Sequence, residues 1–307
     1  MSSKNFIIAD VFTEKPFGGN QLAVFTDGSG LDTEVMQTIA REMNYSETTF
    51  LLPPEKGGDF RVRIFTPASE LPFAGHPIVG TGYAIVSEGL KAVEDGLTTV
   101  RLETGVGELV VKVTTLNLAA KQLGDSTMTQ PLPEVKSRWT DLPRLAKALS
   151  LDAADIESTQ LPVEVIYNGI PVMIIPLASL AALQKIKVDT GALEAISREA
   201  GAITVMVFCR ETAMPTSTVH CRVFVPVEGI AEDPATGSAN GPLGFYCVRH
   251  RLVEWQPTTK IISEQGFEMK RPSLINIELD LEPATGEVMN IRVGGGVVIS
   301  GKGEIFI

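Results

Sequence analysis

The chain has 307 residues, enough for a large core or two domains, and its 44% hydrophobic and 21% charged residues are typical of a globular protein. Its formal net charge of −11 at pH 7 would repel polyphosphates, so the composition argues against nucleic-acid binding. The first residues are too polar for a signal peptide, and no apolar run approaches the ~20 residues of a membrane span. We therefore expect a cytoplasmic protein without a membrane partner.

Strand patterns dominate the chain. In chain order, β-rich segments lie at 5–12, 21–25, 60–64, 98–104, 108–116, 163–169, 171–177, 202–209, 218–226, 260–266, 274–281 and 297–307. Helical patterns lie at 32–43, 77–88, 141–150, 178–184 and about 239–250. Many strands with few helices predict an α+β fold rather than a doubly wound sheet.

The cysteines and histidines show no spacing typical of a disulfide framework or a zinc site. They are Cys209, Cys221, Cys247, His76, His220 and His250. We therefore predict a reduced protein without a metal centre.

Two segments, 63–86 and 222–248, follow one plan. Each contains Arg-x-Phe-x-Pro, continues with Glu-x-Pro-x-x-Gly, and then has a glycine followed by an aromatic residue at matched spacing. From this repeat we infer two halves of one design, with a boundary near the polar stretch 117–131. The alternative is a coincidental similarity of two strand–loop–helix units.

Each copy of the repeat predicts a strand, an acidic loop and a helix. In the first copy we predict His76 as the N-cap and Pro77 as the first helical residue, where a missing N–H costs nothing. The helix at 77–88 is apolar over most of its circumference, and its counterpart in the second copy is similar, which is typical of buried helices. A sheet curled around a central helix would satisfy both observations.

The two helix starts are candidates for binding a small anion. A helix start offers unpaired N–H groups and a positive dipole end, so two starts facing one cleft would suit a carboxylate. His76 lies at the first start and Ser238 at the second, and Asp233 precedes Ser238 in "EDPATGSA". Asp233 could orient a substrate amine, and Ser238 could hold a carboxylate together with the N–H of Gly237.

Glu47, in "NYSETTF", lies between a helical segment and an apolar strand. A carboxylate near an apolar wall loses hydration, so we expect its pKa to rise above the reference of ~4.3. Such a group can take and return a proton near neutral pH, and His76 could shuttle that proton or bind substrate.

Each candidate residue also has a purely structural alternative. Glu47 would then be a solvated residue at the start of a strand, His76 and Ser238 would be helix caps, and Asp233 would bond locally in a turn.

At these residues the sequence resembles the phenazine-biosynthesis isomerase (PhzF-like) family, within the diaminopimelate-epimerase architecture. The resemblance covers nearly the whole chain and rests on "IADVFTEKPFGGNQLAVF", "IAREMNYSETTFLL", "RIFTPASELPFAGHPIVGT", "EDPATGSANGPL", "QGFEMKRPS" and "GGGVVISGKGEI". It implies two pseudo-symmetric domains, each a β-barrel-like sheet wrapped round a central helix, with the site between them. The domains would be 1–120 plus 295–307, and 125–294.

The resemblance also implies chemistry. By motif, Glu47 would be the acid/base, His76 its active-site partner, and Asp233 a further catalytic residue, with Gly75, Gly237 and Ser238 binding substrate. It implies proton transfer without a cofactor, and a homodimer. The founding member isomerises trans-2,3-dihydro-3-hydroxyanthranilate, and all four polar positions that its reaction uses are matched here. One departure is Pro234, which concerns the shape of the loop.

We therefore predict a cofactor-independent isomerase or epimerase acting on a small amino- or hydroxy-carboxylate. A two-thiol racemase is disfavoured, because neither site motif contains cysteine. Two other functions stay open at this point: a carboxylate-binding protein without catalysis, and a hydrolase that uses Ser238, His76 and Asp233.

Overall fold

In the computed structural model, which describes residues 3–307, the chain divides into two units. The first consists of Met1–Thr129 together with Gly294–Ile307, and the second of Gln130–Val293. The chain thus leaves the first unit once and returns to it with its last strand.

Residues 3–130 contain eight strands and two helices. They are β1 (Ser3–Val11), β2 (Asn20–Phe25), α1 (Thr33–Met43), β3 (Glu47–Leu52), β4 (Phe60–Phe65), β5 (Glu70–Leu71), α2 (Gly75–Ser87), β6 (Leu97–Thr104), β7 (Gly107–Asn117) and β8 (Gln122–Gln130).

The remainder of the chain contains ten strands, five α-helices and one 3₁₀ turn. They are β9 (Glu134–Trp139), α3 (Leu142–Ala148), α4 (Ala154–Glu157), β10 (Val163–Tyr167), β11 (Pro171–Pro176), α5 (Leu180–Gln184), α6 (Thr190–Ala200), β12 (Thr204–Cys209), β13 (Val219–Val225), the 3₁₀ turn Pro226–Glu228, β14 (Ile230–Asp233), α7 (Gly237–Arg249), β15 (Thr258–Gln265), β16 (Ser273–Leu281), β17 (Val288–Gly295) and β18 (Val297–Phe306).

The same strand pairings occur in both units, in the same order and sense. In the first unit β1–β2 is antiparallel, β2–β3 parallel, β3–β4 and β4–β5 antiparallel, β4–β6 parallel and β6–β7 antiparallel. The corresponding pairs of the second unit are β10–β11, β11–β12, β12–β13, β13–β14, β13–β15 and β15–β16. The predicted α+β fold with two pseudo-symmetric halves is confirmed.

The repeated Arg and Glu residues make the same ion pair in each unit. Arg63 on β4 donates two hydrogen bonds, of 2.7 and 2.6 Å, to the carboxylate of Glu70 on β5. Arg222 on β13 donates two, of 2.8 and 2.7 Å, to Glu232 on β14. Each guanidinium also lies over the phenylalanine two residues along its strand, at 5.0 and 5.3 Å from the ring centroid. The repeated motif is therefore the sequence of a strand pair fixed by a bidentate ion pair.

A buried helix lies at the centre of each unit. In the first, α2 packs against β1, β2, β3, β6, β7 and β18, so the sheet wraps round it. In the second, α7 packs against β11 and β16. Matched glycines allow a close approach: a Cβ on Gly82 would lie 2.4 Å from Val111 on β7, and one on Gly244 would lie 2.7 Å from Ile277 on β16. Only glycine fits these positions without a shift of the strand.

The prediction that His76 is an N-cap was wrong. The cap is Ala74, α2 begins at Gly75, and His76 and Pro77 are its second and third residues. The N–H groups of the whole first turn lack intrahelical partners, so a proline at the third position costs no hydrogen bond and does not mark the first.

Other segments also differ from the sequence predictions, which do not include β9, α4 or β17. The polar stretch 117–131 contains strand β8, whose inward positions hold Ser126, Met128 and Gln130 in place of β-branched residues. Helix α6 had not been predicted, although Asp189 caps it by accepting from the N–H of Ala192 and its Leu193 and Ile196 are buried.

We expect Gly82→Ala to destabilise the protein by about 1–3 kcal/mol, because the new methyl overpacks α2 against the buried, β-branched Val111. The measurement is the midpoint of urea unfolding. Gly191→Ala in α6 is the matched control, since its Cβ would meet only Asp189 Oδ1, at 3.8 Å. It should be neutral or stabilising. Equal effects of the two substitutions would contradict the close approach.

Candidate functional site

Glu47 is the first residue of β3, and the local sequence fixes where that strand begins. Helix α1 ends at Met43, and Asn44 adopts the left-handed conformation with φ 53° and donates its N–H to the carbonyl of Ala40. Parallel pairing of β3 with β2 then places Glu47 beside Leu22. The Glu47 side chain is 14% exposed, and Thr48, which follows it, is fully buried.

His76 lies against Glu47. Its Nε2 is 3.4 Å from Glu47 Oε2, and its side chain is 6% exposed. Burial lowers the pKa of His76 to about 3, while a hydrogen bond with the backbone of Gln21 opposes this shift. A bond that favours the protonated ring has the ring as donor, and Nε2 has no hydrogen-bond partner among residues 3–307. The proton of the neutral ring therefore lies on Nδ1, and the lone pair of Nε2 is directed to the Glu47 side.

The two central helices begin without a side-chain cap. Four other helices, α1, α3, α5 and α6, are capped by Asp32, Asp141, Ser179 and Asp189. At α2 the cap residue is Ala74, and at α7 it is Thr236, whose side chain makes no capping bond. Within each unit, no cap side chain therefore occupies the start of the central helix, where an anion could bind.

In the second unit, Asp233 and Ser238 lie close in sequence around the start of α7. Asp233 is the last residue of β14 and is buried, and Ser238 is the second residue of α7 and half-buried. The hydroxyl of Thr236 donates to Oδ2 of Asp233. Asp233 therefore bonds locally, as the structural alternative expected, and its carboxylate is held in one orientation.

Sequence reasoning missed three polar residues around this loop. Gln265 donates to the backbone carbonyl of Asp233 at 2.7 Å, and Gln130 donates to the carbonyl of Gly237 at 2.9 Å. Thr236 is the third. Only Thr236 carries a local signal, because it stands inside "EDPATGSA". The two glutamines reach the loop through strand pairing between distant segments.

The structure thus brings Glu47 and His76 together in the first unit, and Asp233, Gly237 and Ser238 together in the second. A serine hydrolase gains no support from the second unit. Its histidines are bonded elsewhere: His220 to Glu264 and Glu268, and His250 to Glu164.

Thiol and metal chemistry also find no support in the described chain. Cys209, Cys221 and Cys247 are all buried, and burial raises the pKa of Cys247 to about 12. Within residues 3–307, no cluster of three or more His, Cys, Asp or Glu side chains is arranged to hold a metal ion. In the same range, every helix is too short or too polar to cross a membrane.

Comparison with solved structures identifies the fold. A PhzF-family phenazine biosynthesis protein from Bacillus anthracis superposes with a TM-score of 0.88 at 27% identity, covering 100% of both chains. A hydroxyproline epimerase from Agrobacterium vitis shares the fold alone, with a TM-score of 0.67 at 12% identity over 99% of this chain and 92% of that one. The chain thus has the two-domain fold of PhzF-family proteins, which the hydroxyproline epimerase shares.

Sequence comparison gives the family. The family model described as phenazine biosynthesis-like protein matches residues 9–303. The trans-2,3-dihydro-3-hydroxyanthranilate isomerase of Pseudomonas fluorescens is 37% identical over 308 residues, 99% of each chain, and that of Pseudomonas aeruginosa is 34% identical over 312 residues, 98% of this chain and 99% of the other. The chain belongs to the phenazine biosynthesis-like family, and the predicted resemblance and isomerase class are confirmed.

We expect His76 to stay neutral from pH 5 to 8, because burial lowers its pKa to about 3. His220 should stay protonated over the same range, because its hydrogen bonds with two glutamates raise its pKa to about 9. Nitrogen-15 NMR of the imidazole rings measures both. The unfolded chain binds a proton near pH 6.5 that folded His76 does not, so this residue stabilises the fold above that pH and loses the contribution as pH falls towards 3. Titration of His76 near 6.5 would contradict the buried contact.

Proposed function

We propose that the chain is a cofactor-independent isomerase that moves a proton on a small amino- or hydroxy-carboxylate, and that trans-2,3-dihydro-3-hydroxyanthranilate is the first substrate to test. The contact between Glu47 and neutral His76 at the start of α2 carries the proposal. The substrate comes from the names of relatives at 34–37% identity over nearly the whole chain.

In the proposed reaction, the Glu47 carboxylate removes a proton from a substrate carbon and becomes a carboxylic acid. The Nε2 lone pair of His76 can accept a hydrogen bond from that acid, which stabilises the intermediate without taking charge. Glu47 then returns the same proton to a different carbon, so atoms and charge balance and no redox partner is needed. Low exposure of Glu47 slows loss of the proton to water.

Substrate binding is assigned to the helix starts. We propose that the uncapped N–H groups at Gly75 and at Gly237, with the hydroxyl of Ser238, bind the substrate carboxylate. Asp233 is proposed to orient the amino group. The proposal takes 1–120 plus 295–307, and 125–294, as the two domains.

We also propose a cytoplasmic homodimer. Three buried cysteines without a disulfide fit a reducing compartment, and the dimer is what the family resemblance implies. Sedimentation equilibrium should give twice the chain mass. A monomer at micromolar concentration would contradict the dimer without affecting the chemistry.

Glu47→Gln should lower turnover by about 10²–10⁴-fold, because the amide cannot accept and return a proton. Binding of a substrate analogue, measured by calorimetry, should persist. The assay follows product formation and, with a substrate deuterated at the reacting carbon, transfer of that label to the new carbon.

Glu42→Gln, on the exposed face of α1, is the matched control and should keep full activity. Turnover retained by the Glu47 variant would exclude Glu47 as the base. Failure of the native protein to form an isomerised product from this or any other small amino- or hydroxy-carboxylate would exclude the isomerase proposal.

A further inference from the structure

The side-chain amide of Gln265 joins three groups of the loop that precedes α7. Gln265 is the last residue of β15 and is fully buried. Its Nε2 donates to the carbonyl of Asp233 at 2.7 Å and to the Thr236 hydroxyl oxygen at 3.0 Å, and its Oε1 accepts from the Thr236 N–H at 3.2 Å. One amide therefore fixes both ends of the four-residue loop.

These bonds also fix the direction of the next one. A threonine hydroxyl has a single proton, and the oxygen of this one already accepts from Gln265. Its own proton is therefore donated to Oδ2 of Asp233, which is the contact observed. Thr236 occupies the N-cap position of α7, where a threonine ordinarily caps the helix, yet its side chain makes no capping bond. The hydroxyl therefore donates its hydrogen bond to Asp233 and does not cap the helix.

The segment that carries Gln265 is itself held firmly. Gln265 pairs with Cys221 on β13 and with Ser273 on β16. The hydroxyl of Ser273 lies 2.9 Å from the carbonyl oxygens of both Pro234 and Arg271 and shares its single proton between them, so the loop also has a contact from a second side.

The preceding residue, Glu264, anchors the end of β15. It is fully buried, lies 2.6 Å from His220 Nδ1 and accepts from the backbone N–H groups of Ala213 and Met214. The amide thus acts from a rigid base, as a positioning group requires.

We propose that Gln265 and Thr236 are positioning residues that hold the Asp233 carboxylate towards the amino group of the substrate. They act through two consecutive hydrogen bonds, from the Gln265 amide to the Thr236 hydroxyl and from that hydroxyl to Asp233 Oδ2. The proposal rests on the proposed function, because it takes Asp233 as the group that binds the amine. It assigns to two residues outside the predicted site the orientation on which amine recognition depends.

The test compares two ligands that differ by one amino group, 3-hydroxyanthranilate and 3-hydroxybenzoate, by calorimetry. Thr236→Val keeps the shape of the side chain and removes the hydroxyl. It should weaken binding of 3-hydroxyanthranilate by about 10- to 100-fold, the loss of a hydrogen bond to a charged group, and binding of 3-hydroxybenzoate by less than about 2-fold. Thr236→Ser restores the hydroxyl and should restore the affinity.

Gln265→Glu tests the direction of the bonds. A carboxylate only accepts, so the Thr236 proton would turn to it and Asp233 would lose the hydrogen bond from Thr236. We expect the same selective loss for the amine-bearing ligand. A new buried charge threatens folding, so the outcome of the test is decided by the Thr236 variants. Binding data for Gln265→Glu are used only if its circular dichroism spectrum matches that of the native protein.

Thr259→Val is the matched control. It makes the same chemical change at a buried threonine of β15 whose hydroxyl bonds only to the backbone of Gln256, so neither ligand should be affected. Equal losses for both ligands in Thr236→Val, or no loss for either, would overturn the positioning role. Equal binding of the two ligands by the native protein would overturn amine recognition by Asp233. Neither result bears on Glu47→Gln, which tests proton transfer alone.

Discussion

Burial of His76 is the constraint on which the candidate site depends. A solvated imidazole beside Glu47 would be partly protonated near neutral pH, and its charge would favour the ionised carboxylate and weaken it as a base. Burial at the start of α2 keeps the ring neutral, and the backbone of Gln21 holds its other nitrogen. The packing of the sheet around α2 therefore keeps the imidazole that faces Glu47 uncharged, which links the packing of the fold to the acid/base chemistry of the candidate site.

The two central helices reach an uncapped start by different means. In the first unit the cap position holds Ala74, which has no polar side chain to offer. In the second it holds Thr236, whose hydroxyl donates its hydrogen bond to Asp233 and makes none to the helix. Surface helices such as α1 and α6 use an aspartate at this position instead. An aspartate cap would place a negative charge where the proposed substrate carboxylate binds, so its absence at both central helices suits the proposed function.

The sequence repeat predicted the two halves because it encodes a local and complete interaction. Arg63 with Glu70, and Arg222 with Glu232, lie on neighbouring strands only a few residues apart, so order and spacing alone indicate the pair. The role of Gln265 could not be predicted this way, since it depends on the parallel pairing of β15 with β13, more than forty residues earlier in the chain. Contact between Glu47 and His76 likewise depends on β2, because Glu47 pairs with Leu22 and His76 bonds to the backbone of Gln21 on that strand.

The two units differ at two positions of the candidate site, and these differences indicate which unit would supply the acid/base group. Strand β3, which pairs in parallel with β2, begins with Glu47, and its counterpart β12, which pairs in parallel with β11, begins with Thr204. Thr204 cannot act as an acid or base near neutral pH. At the second position of the central helix, His76 in one unit corresponds to Ser238 in the other. A duplicated fold with a single carboxylate at this position suits a mechanism in which one group removes the proton and the same group returns it. A two-base exchange that used this same position in each unit would need an ionisable side chain at both strand starts, and Thr204 does not provide one.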